Sequence, residues 1–252
     1  MRQNPDGSTP YHGPDRELQV SSKPSGVLAR AWRDWLRSAI LLVLLITALR
    51  SAVADWNDVP TGSMKPTIVE GDRILVNKLA YDLKVPYTRW RLARWSDPAR
   101  GDIVVLLSPG DGTRLVKRVV GLPGDVIAMD RNRLIVNDEP VVYRPIGSEL
   151  RDADVPPSVT SGRIVAVEEL DASAHPVMLT PHSTSLHSFG PMTIPAERFF
   201  VMGDNRDESF DSRHFGLVER RLILGRAVAV AASVDPDHYF LPRWKRFFQG
   251  LH

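Results

Sequence analysis

One apolar segment near the N-terminus constrains the fold of this chain more than any other feature. Its uninterrupted run is Ala39–Leu49, flanked by Arg37 and Arg50. The run alone is too short to cross a hydrocarbon core of about 30 Å, but the stretch from Trp32 to Ala54 is long enough, because arginines near helix ends can extend to the headgroups. Residues 30–56 are therefore predicted to form a single transmembrane helix, and no second run of that length follows.

The flanks of this segment predict its orientation. Basic residues precede the run, which places the N-terminus in the cytoplasm and everything after residue 56 outside it. Residues 1–29 are rich in proline, glycine and serine, and they are predicted to form a disordered cytoplasmic tail. The basic residues are Arg30, Arg33 and Arg37, and the tryptophans expected at the membrane interfaces are Trp32, Trp35 and Trp56.

Two other interpretations of the segment compete with an uncleaved anchor. A basic flank, a short apolar region and Ala52-Val53-Ala54 also describe a cleavable signal peptide. Against cleavage, a long polar tail precedes the flank, and Arg50 interrupts the stretch before the cleavage site. A buried helix of a soluble protein is the third alternative.

From Val59 onward the pattern is β, because short β-branched and aliphatic runs recur between turn signals. The predicted fold class is mainly β: a core over 57–143 and 196–235, a smaller inserted β lobe over 144–195, and Asn137-Asp138-Glu139 as a hairpin loop. The predicted strands are Arg73–Leu79, Asp102–Leu107, Arg114–Val120, Asp125–Met129, Arg133–Val136, Val141–Tyr143, Arg163–Val167, Arg198–Met202 and Leu222–Val234.

The tail 236–252 is basic and aromatic. Trp244, Phe247, Phe248 and Leu251 have the spacing of one helical face. The pattern predicts either a helix on an anionic lipid surface or a segment packed onto the β core.

Composition excludes several classes of function. The net charge is only +2, from 32 basic and 30 acidic residues, so no basic field indicates a nucleic-acid partner. The chain has no cysteine, which excludes a disulfide scaffold, a zinc–thiolate site and a cysteine nucleophile.

A serine on a rigid loop is the first candidate for chemistry. Ser63 lies between Pro60 and Pro66, which restrict the backbone, and Gly62 is expected to let a substrate backbone approach. A serine needs a base, and no Gly-x-Ser-x-Gly motif accompanies this one. Lys117, on an apolar face of a predicted strand, is the candidate, because desolvation lowers the pKa of an amine. A lysine that extends to solvent is the plainer alternative.

The segment Gly203–Gly216 is dense in polar groups between two apolar strands, and it predicts either a bonded structural network or a catalytic loop. Together with this segment, the serine and lysine motifs resemble the successive conserved boxes of bacterial type I signal peptidases, in the same order and just after an anchor. The matching boxes are Pro60–Thr67, Gly71–Ile74, Arg100–Val105, Lys117–Asp125 and Gly203–Gly216.

The resemblance implies a role for individual residues. Ser63 takes the nucleophile position and Lys117 the general-base position of a Ser-Lys dyad. The Ser63 N–H and the Thr61 hydroxyl match the oxyanion hole, although many members have serine in place of Thr61. Ser209 matches the serine that orients the lysine. Asp211, Arg213 and Arg118 match a supporting ion-pair network. The positions that match substrate pockets for small side chains are Val59, Pro60, Met64, Ile68, Ile74, Val105 and Val116.

The function implied by the resemblance is a membrane-bound serine endopeptidase that needs no metal or other cofactor. It would remove signal peptides from exported preproteins after Ala-x-Ala, with the lipid bilayer as its second partner and its catalytic domain outside the bacterial cytoplasmic membrane. A peptidase dedicated to one cargo, such as a pilin, is a close alternative. A self-cleaving repressor and an inactive substrate-binding module are disfavoured, the first by the anchor and the second because both Ser63 and Lys117 are present.

Overall fold

The computed structural model describes residues 25–85, 88, 90–146, 160–171, 173–181, 183 and 185–251. The described chain divides between Leu45 and Ile46 into two compact units. The predicted tail before residue 25 lies outside the described residues, as does the middle of the predicted lobe, 147–159.

The N-terminal segment forms one long helix, α1 (Ser25–Val53), which confirms a helix over most of the predicted stretch 30–56. Residues 54–56 are not helical, because they belong to strand β1 (Ala54–Asp58). Among the described residues, no helix is both long enough and apolar enough to span a bilayer. The transmembrane anchor over 30–56 therefore stays a prediction.

The rest of the chain is mainly β, as predicted. Its strands are β1 (Ala54–Asp58), β2 (Asp72–Asn77), β3 (Asp82–Lys84), β4 (Arg91–Arg94), β5 (Ile103–Leu107), β6 (Arg114–Gly121), β7 (Val126–Asp130), β8 (Arg133–Val136), β9 (Glu139–Pro140), β10 (Val142–Pro145), β11 (Ile164–Leu170), β12 (Ser173–Leu179), β13 (Phe189–Thr193), β14 (Arg198–Met202), β15 (Val218–Glu219), β16 (Ile223–Asp235), β17 (Leu241–Pro242) and β18 (Gln249–Gly250). A short helix, α2 (Ser212–Phe215), and 3₁₀ turns at Gly62–Met64, Lys78–Ala80, Arg206–Glu208, Arg220–Leu222 and Trp244–Arg246 complete the described elements.

One large sheet carries the segments with candidate catalytic residues. Among the described residues it has nine strands, in the order β1-β2-β16-β5-β6-β14-β15, with β17 and β18 also paired to β16. The pairs along this path are antiparallel, and Val104 of β5 stands opposite Lys117 of β6. Beneath it lies an apolar core that includes Ile68, Ile74 and Val105. The next neighbour, β14, leads into the polar segment after Met202.

The boundary of the inserted lobe differs from the predicted one. Strands β7, β8 and β9, predicted to belong to the main core, form a separate sheet with β13, in the order β13-β7-β8-β9. Strands β10, β11 and β12 form a further three-stranded sheet within the described residues. A shared core cluster joins Ile127 and Leu134 to Leu170 and Ile194, so residues on both sides of the predicted boundary at 143 pack together.

The predicted C-terminal helix is wrong. Trp244–Arg246 forms a single 3₁₀ turn, Phe248 has a positive φ of 58°, and Gln249–Gly250 adds a strand to β16. Arg246 is buried and donates to Asp72 Oδ2 at 2.7 Å. Pairing of this basic residue with a buried carboxylate, together with Leu251 against the core, favours the alternative in which the tail packs onto the sheet.

Candidate active site

Ser63 lies in the 3₁₀ turn that follows β1. The turn is closed by Lys65 N–H donating to Gly62 O at 3.1 Å, and Ile68 N–H donates to Met64 O at 2.9 Å. Met64 is fully buried in the core beneath the sheet, so the residue after the serine anchors the loop. The neighbouring Thr61 is extended and exposed. The loop that carries Ser63 is therefore held in place by buried packing and by backbone hydrogen bonds.

Gly62 is needed here for a different reason from the one predicted. A Cβ at this position would lie 2.6 Å from Glu70 Oε1 and 2.7 Å from Lys65 Cε. These two side chains form an ion pair, with Lys65 Nζ 2.8 Å from Glu70 Oε2. The glycine makes room for this ion pair; it does not simply open a path for a substrate backbone.

Lys117 reaches Ser63 from the middle of β6. Its Nζ lies 2.5 Å from Ser63 Oγ. The side chain is 2% exposed, as expected for a lysine on an apolar strand. Burial lowers the pKa of Lys117 to about 8; the negative charges of Asp211 and Asp204 oppose this shift, and Arg213 adds to it. At pH 7 about a tenth of the molecules therefore carry a neutral amine, which can accept a proton from the hydroxyl.

The predicted ion-pair network is present as two separate pairs. Arg213 binds Asp211 through Nε at 2.8 Å and Nη2 at 2.7 Å. Arg118 instead binds Asp204, with both contacts at 2.9 Å, and it also donates to Gly101 O at 2.8 Å. Burial disfavours the ionised form of both carboxylates, but their arginine partners outweigh it and hold each pKa below its usual range.

One residue of the polar segment, Asn205, holds the backbone of the serine loop, and a second, Gly203, lies against it. Asn205 N–H donates to Ser63 O at 3.1 Å, and Asn205 Nδ2 donates to Gly62 O at 3.1 Å. Gly203 approaches so closely that a Cβ there would lie 2.3 Å from Ser63 O. Gly203 N–H is itself held by Asp211 Oδ2 at 3.0 Å.

Ser209, which matches the serine that orients the lysine, makes no hydrogen bond to Lys117 in this structure. Ser209 Oγ is buried and lacks a hydrogen-bond partner among the described residues. It does lie in the site, because a Cβ on Gly203 would come within 2.3 Å of this oxygen as well as of Ser63 O. An orienting role for Ser209 stays a prediction.

A cleft of about 250 Å³ leads to the serine. Four of the predicted pocket residues line it, whereas Ile68, Ile74 and Val105 are buried in the core beneath and do not line it. The lining combines apolar and polar side chains, and it consists of Asn57, Asp58, Val59, Pro60, Thr61, Ser63, Met64, Arg114, Leu115, Val116 and Lys117.

Comparison with known proteins gives the same family as these residues suggest. The family model described as signal peptidase, peptidase S26, matches residues 32–232. The chain belongs to this family.

Signal peptidase I of Pseudomonas aeruginosa (strain PAO1) is 35% identical over 248 residues, covering 91% of this chain and 85% of that protein. Signal peptidase I of Pseudomonas fluorescens is 34% identical over 226 residues, covering 84% of this chain and 77% of that protein. A solved signal peptidase I from Enterococcus faecalis V583 is 26% identical, with a TM-score of 0.31, over 52% of this chain and 97% of that one.

Membership of the signal peptidase family establishes the class of reaction. The protein is a hydrolase, a serine peptidase that processes signal peptides. Within the described residues, no group of three or more histidine, aspartate or glutamate side chains is arranged to hold a metal ion.

Sequence reasoning did not single out two groups that the geometry makes central. Asp204 and Asn205 stood inside a segment already recognised as polar, but nothing in their spacing said which of its charges faces Arg118 or which amide reaches Ser63. A buried polar cluster on β10–β12 was also missed, because it is assembled from residues far apart in the chain.

Proposed function

We propose that this signal peptidase family member cuts exported preproteins after small residues, Ala-x-Ala, with Ser63 as nucleophile and Lys117 as general base. The observation that carries the proposal is the 2.5 Å separation between Ser63 Oγ and the buried Lys117 Nζ. A desolvated amine beside a hydroxyl is the arrangement that activates a serine without histidine.

The reaction follows from this geometry. Neutral Lys117 accepts the hydroxyl proton as Ser63 Oγ attacks the carbonyl carbon of the scissile bond. The resulting ammonium then donates its proton to the departing amine, which leaves an ester between Ser63 and the signal peptide. Lys117 next takes a proton from water as that water attacks the ester. The ammonium returns this proton to Ser63 Oγ as the ester C–O bond breaks, which releases the signal peptide as a carboxylic acid and restores the serine and the neutral amine.

The oxyanion would be stabilised by the Ser63 N–H and the Thr61 hydroxyl. Thr61 is exposed at the cleft, two residues before the nucleophile, and its extended backbone is part of the cleft wall. Donors aimed at developing charge contribute roughly 3–4 kcal/mol each. Ser209 would help to aim the lysine once substrate is bound.

The shape of the cleft supports a preference for small side chains. Its walls beside Ser63 are Val59, Pro60, Met64 and Val116, and Val59 and Met64 are themselves part of the packed core. A close-packed core deforms little, so a large substrate side chain could enter the cleft only by displacing these wall residues. Alanine-sized side chains at the cleavage site fit between the walls without such displacement.

The proposal places the enzyme at the bacterial cytoplasmic membrane, with its N-terminus inside and its β unit outside. Support comes from α1, where large apolar side chains between Trp32 and Ile46 are solvent-exposed over roughly half their surface, for example Leu41 at 66% and Leu44 at 59%. Exposed apolar side chains in such number need an apolar surrounding. The bilayer is therefore the second partner beside the exported preproteins.

Cleavage of a preprotein by the full chain in detergent micelles tests the proposal. We expect one cut directly after Ala-x-Ala, located by N-terminal sequencing of the product. Ser63→Ala and Lys117→Ala should each remove activity while circular dichroism stays unchanged, whereas Lys245→Ala, on the C-terminal tail, should leave turnover intact. Near wild-type turnover in either dyad variant would reject the dyad, and a cut after large residues would reject the specificity.

A further inference from the structure

We propose that Glu168, on β11, is a positioning residue of the Ser63–Lys117 dyad and that it acts through Arg206 and the segment 203–206. The inference rests on the proposed function and extends it, because it makes the sheet β10-β11-β12 part of the machinery that aligns the serine. Glu168 lies outside the cleft lining and has no place in the family boxes quoted above.

Glu168 is the centre of a buried polar cluster. Arg206 Nη2 donates to its Oε1, the hydroxyl of Tyr143 donates to its Oε2, and His175 Nε2 lies 3.4 Å from Oε1. Glu168, His175 and Arg206 are all at most 2% exposed. Burial disfavours the ionised carboxylate, but Arg206 outweighs it and lowers the pKa of Glu168. Burial and the nearby Arg118 lower the pKa of His175, so the imidazole is neutral at neutral pH.

The cluster is connected to the nucleophile by a short path. Arg206 directly follows Asn205, whose amide and side chain hold Ser63 O and Gly62 O, each at 3.1 Å. On the other side of the same segment, Met178 N–H of β12 donates to Asp204 O at 2.8 Å. The segment is thus held between β12 and the serine loop, and the Glu168–Arg206 pair fixes its far end.

Stability alone does not explain such a pair. The desolvation cost of a buried ion pair largely offsets its attraction, and apolar residues of the same volume are often as stabilising. What a buried pair with directional hydrogen bonds does fix is geometry. Here the fixed element is the segment that supports the nucleophile.

Loss of this support has a diagnostic effect on Lys117. The groups that face its amine are Ser63, Asp211, Asp204 and Arg213, and burial is the largest cause of its low pKa. If the segment 203–206 relaxes, water reaches the amine and its pKa rises from about 8 towards its ordinary value. Removal of the Glu168 charge without movement would instead lower the pKa, because a negative charge favours the ammonium. The direction of the shift therefore separates positioning from plain electrostatics.

The experiment compares Glu168→Gln with Glu169→Gln in the full chain. Glu169 is the adjacent residue of β11, and its exposed side chain pairs with Arg144 at 3.0 Å, so it is a matched control. For Glu168→Gln we expect kcat for a preprotein to fall about tenfold at neutral pH, KM to stay within about twofold, and the rising limb of the pH profile to move to higher pH. Glu169→Gln should match the wild type.

A milder variant covers the case in which Glu168→Gln leaves Arg206 unpaired and fails to fold. Tyr143→Phe keeps both charges and removes the two hydrogen bonds of the hydroxyl, the one donated to Glu168 and the one accepted from Leu134 N–H. It should shift the profile in the same direction by less. The ¹³Cε resonance of Lys117, one of only six lysines, gives its pKa directly by NMR without any turnover. The inference would be overturned if the pKa of Lys117 were unmoved or lowered in Tyr143→Phe and in any folded Glu168→Gln protein. It would also be overturned if Glu169→Gln changed the kinetics and the Lys117 pKa as much as Glu168→Gln does.

Failure of the proposed function would look different. In that case the wild type would not cut preproteins, or Ser63→Ala would cut as well as the wild type. The NMR titration would still report whether the cluster on β10–β12 controls the surroundings of Lys117.

Discussion

The chemistry of the site is concentrated in one residue, Lys117, whose value as a base depends on its surroundings. An exposed lysine is almost wholly protonated at neutral pH and cannot deprotonate a serine. Burial on β6 removes the hydration that favours the ammonium, while Asp204 and Asp211 are kept occupied by Arg118 and Arg213. Each aspartate that raises the pKa of the amine is thus paired with a guanidinium, which counteracts its charge.

The first prediction is the pH dependence of cleavage. Only the neutral amine can act as base, so kcat/KM should rise with pH through the Lys117 pKa of about 8 and level off above it. Below that pKa, activity should fall about tenfold for each pH unit, because the neutral fraction of the amine shrinks in that proportion. Initial rates with one preprotein across the neutral and alkaline range measure this. A flat profile through pH 8 would exclude Lys117 as the base.

The second prediction concerns Thr61. If its hydroxyl binds the oxyanion, Thr61→Ala should lower kcat by about 10²–10³ with little change in KM, because the interaction forms only in the transition state. Thr61→Ser keeps the hydroxyl and should be nearly neutral. Steady-state kinetics on the two variants distinguish a donor from a wall residue, since a wall residue would change KM in both.

At the scale of elements, close approach of the segment 203–206 to the serine loop sets the geometry. Gly203 is where the two backbones come closest, and a side chain there has no space. The obstacle is the carbonyl of Ser63, which cannot move without the nucleophile moving with it.

The third prediction follows from this contact. Gly203→Ala places a Cβ 2.3 Å from Ser63 O, so we expect loss of cleavage and a lower free energy of unfolding by about 1–3 kcal/mol. Gly190→Ala is the matched control, because a Cβ there meets nothing within 4 Å. Preprotein cleavage and denaturant unfolding on both variants check the pair. An active Gly203→Ala enzyme would show that the two loops are not in contact during turnover.

Sequence patterns correctly predicted the turns and strands whose conformation depends on neighbouring residues in the chain. The turn at Asn137 and Asp138, both with positive φ, joins β8 and β9 as expected, and the strands with clear β-branched runs formed. The helix predicted for the C-terminal tail was wrong, because the helical spacing carried no information about Asp72, the distant partner of Arg246. The lobe boundary failed for a similar reason, because β7 pairs with β13 across sixty residues of chain. In the site, sequence motifs were sufficient to predict Ser63 and Lys117 as functional residues, whereas no motif pointed to Glu168 and its partners.

At the scale of the whole molecule, the same peptide segment serves two purposes. Strand β1 begins directly after α1 ends at Val53, and its Asn57 and Asp58 line the cleft. A strand that lines the cleft therefore directly follows, in sequence, the helix that we propose as the anchor. Any event that frees β1 would also dismantle the cleft.

The last prediction is that the enzyme does not cut itself after Ala52-Val53-Ala54, although this sequence resembles its proposed substrate. Ala54 and Asp55 are paired with Asn77 and Val76 of β2, so the peptide bond between them is within the sheet and is not free to enter the cleft. Nine residues separate Ala54 from Ser63 and span at most about 30 Å, too little to double back while the serine stays in its own loop. Intact-mass and N-terminal analysis of membrane-purified protein should therefore show the segment 30–56 retained. The Ser63→Ala protein is the control: a dominant species that starts at Asp55 in the wild type and is missing from Ser63→Ala would demonstrate self-cleavage and would make the mature enzyme a released peptidase.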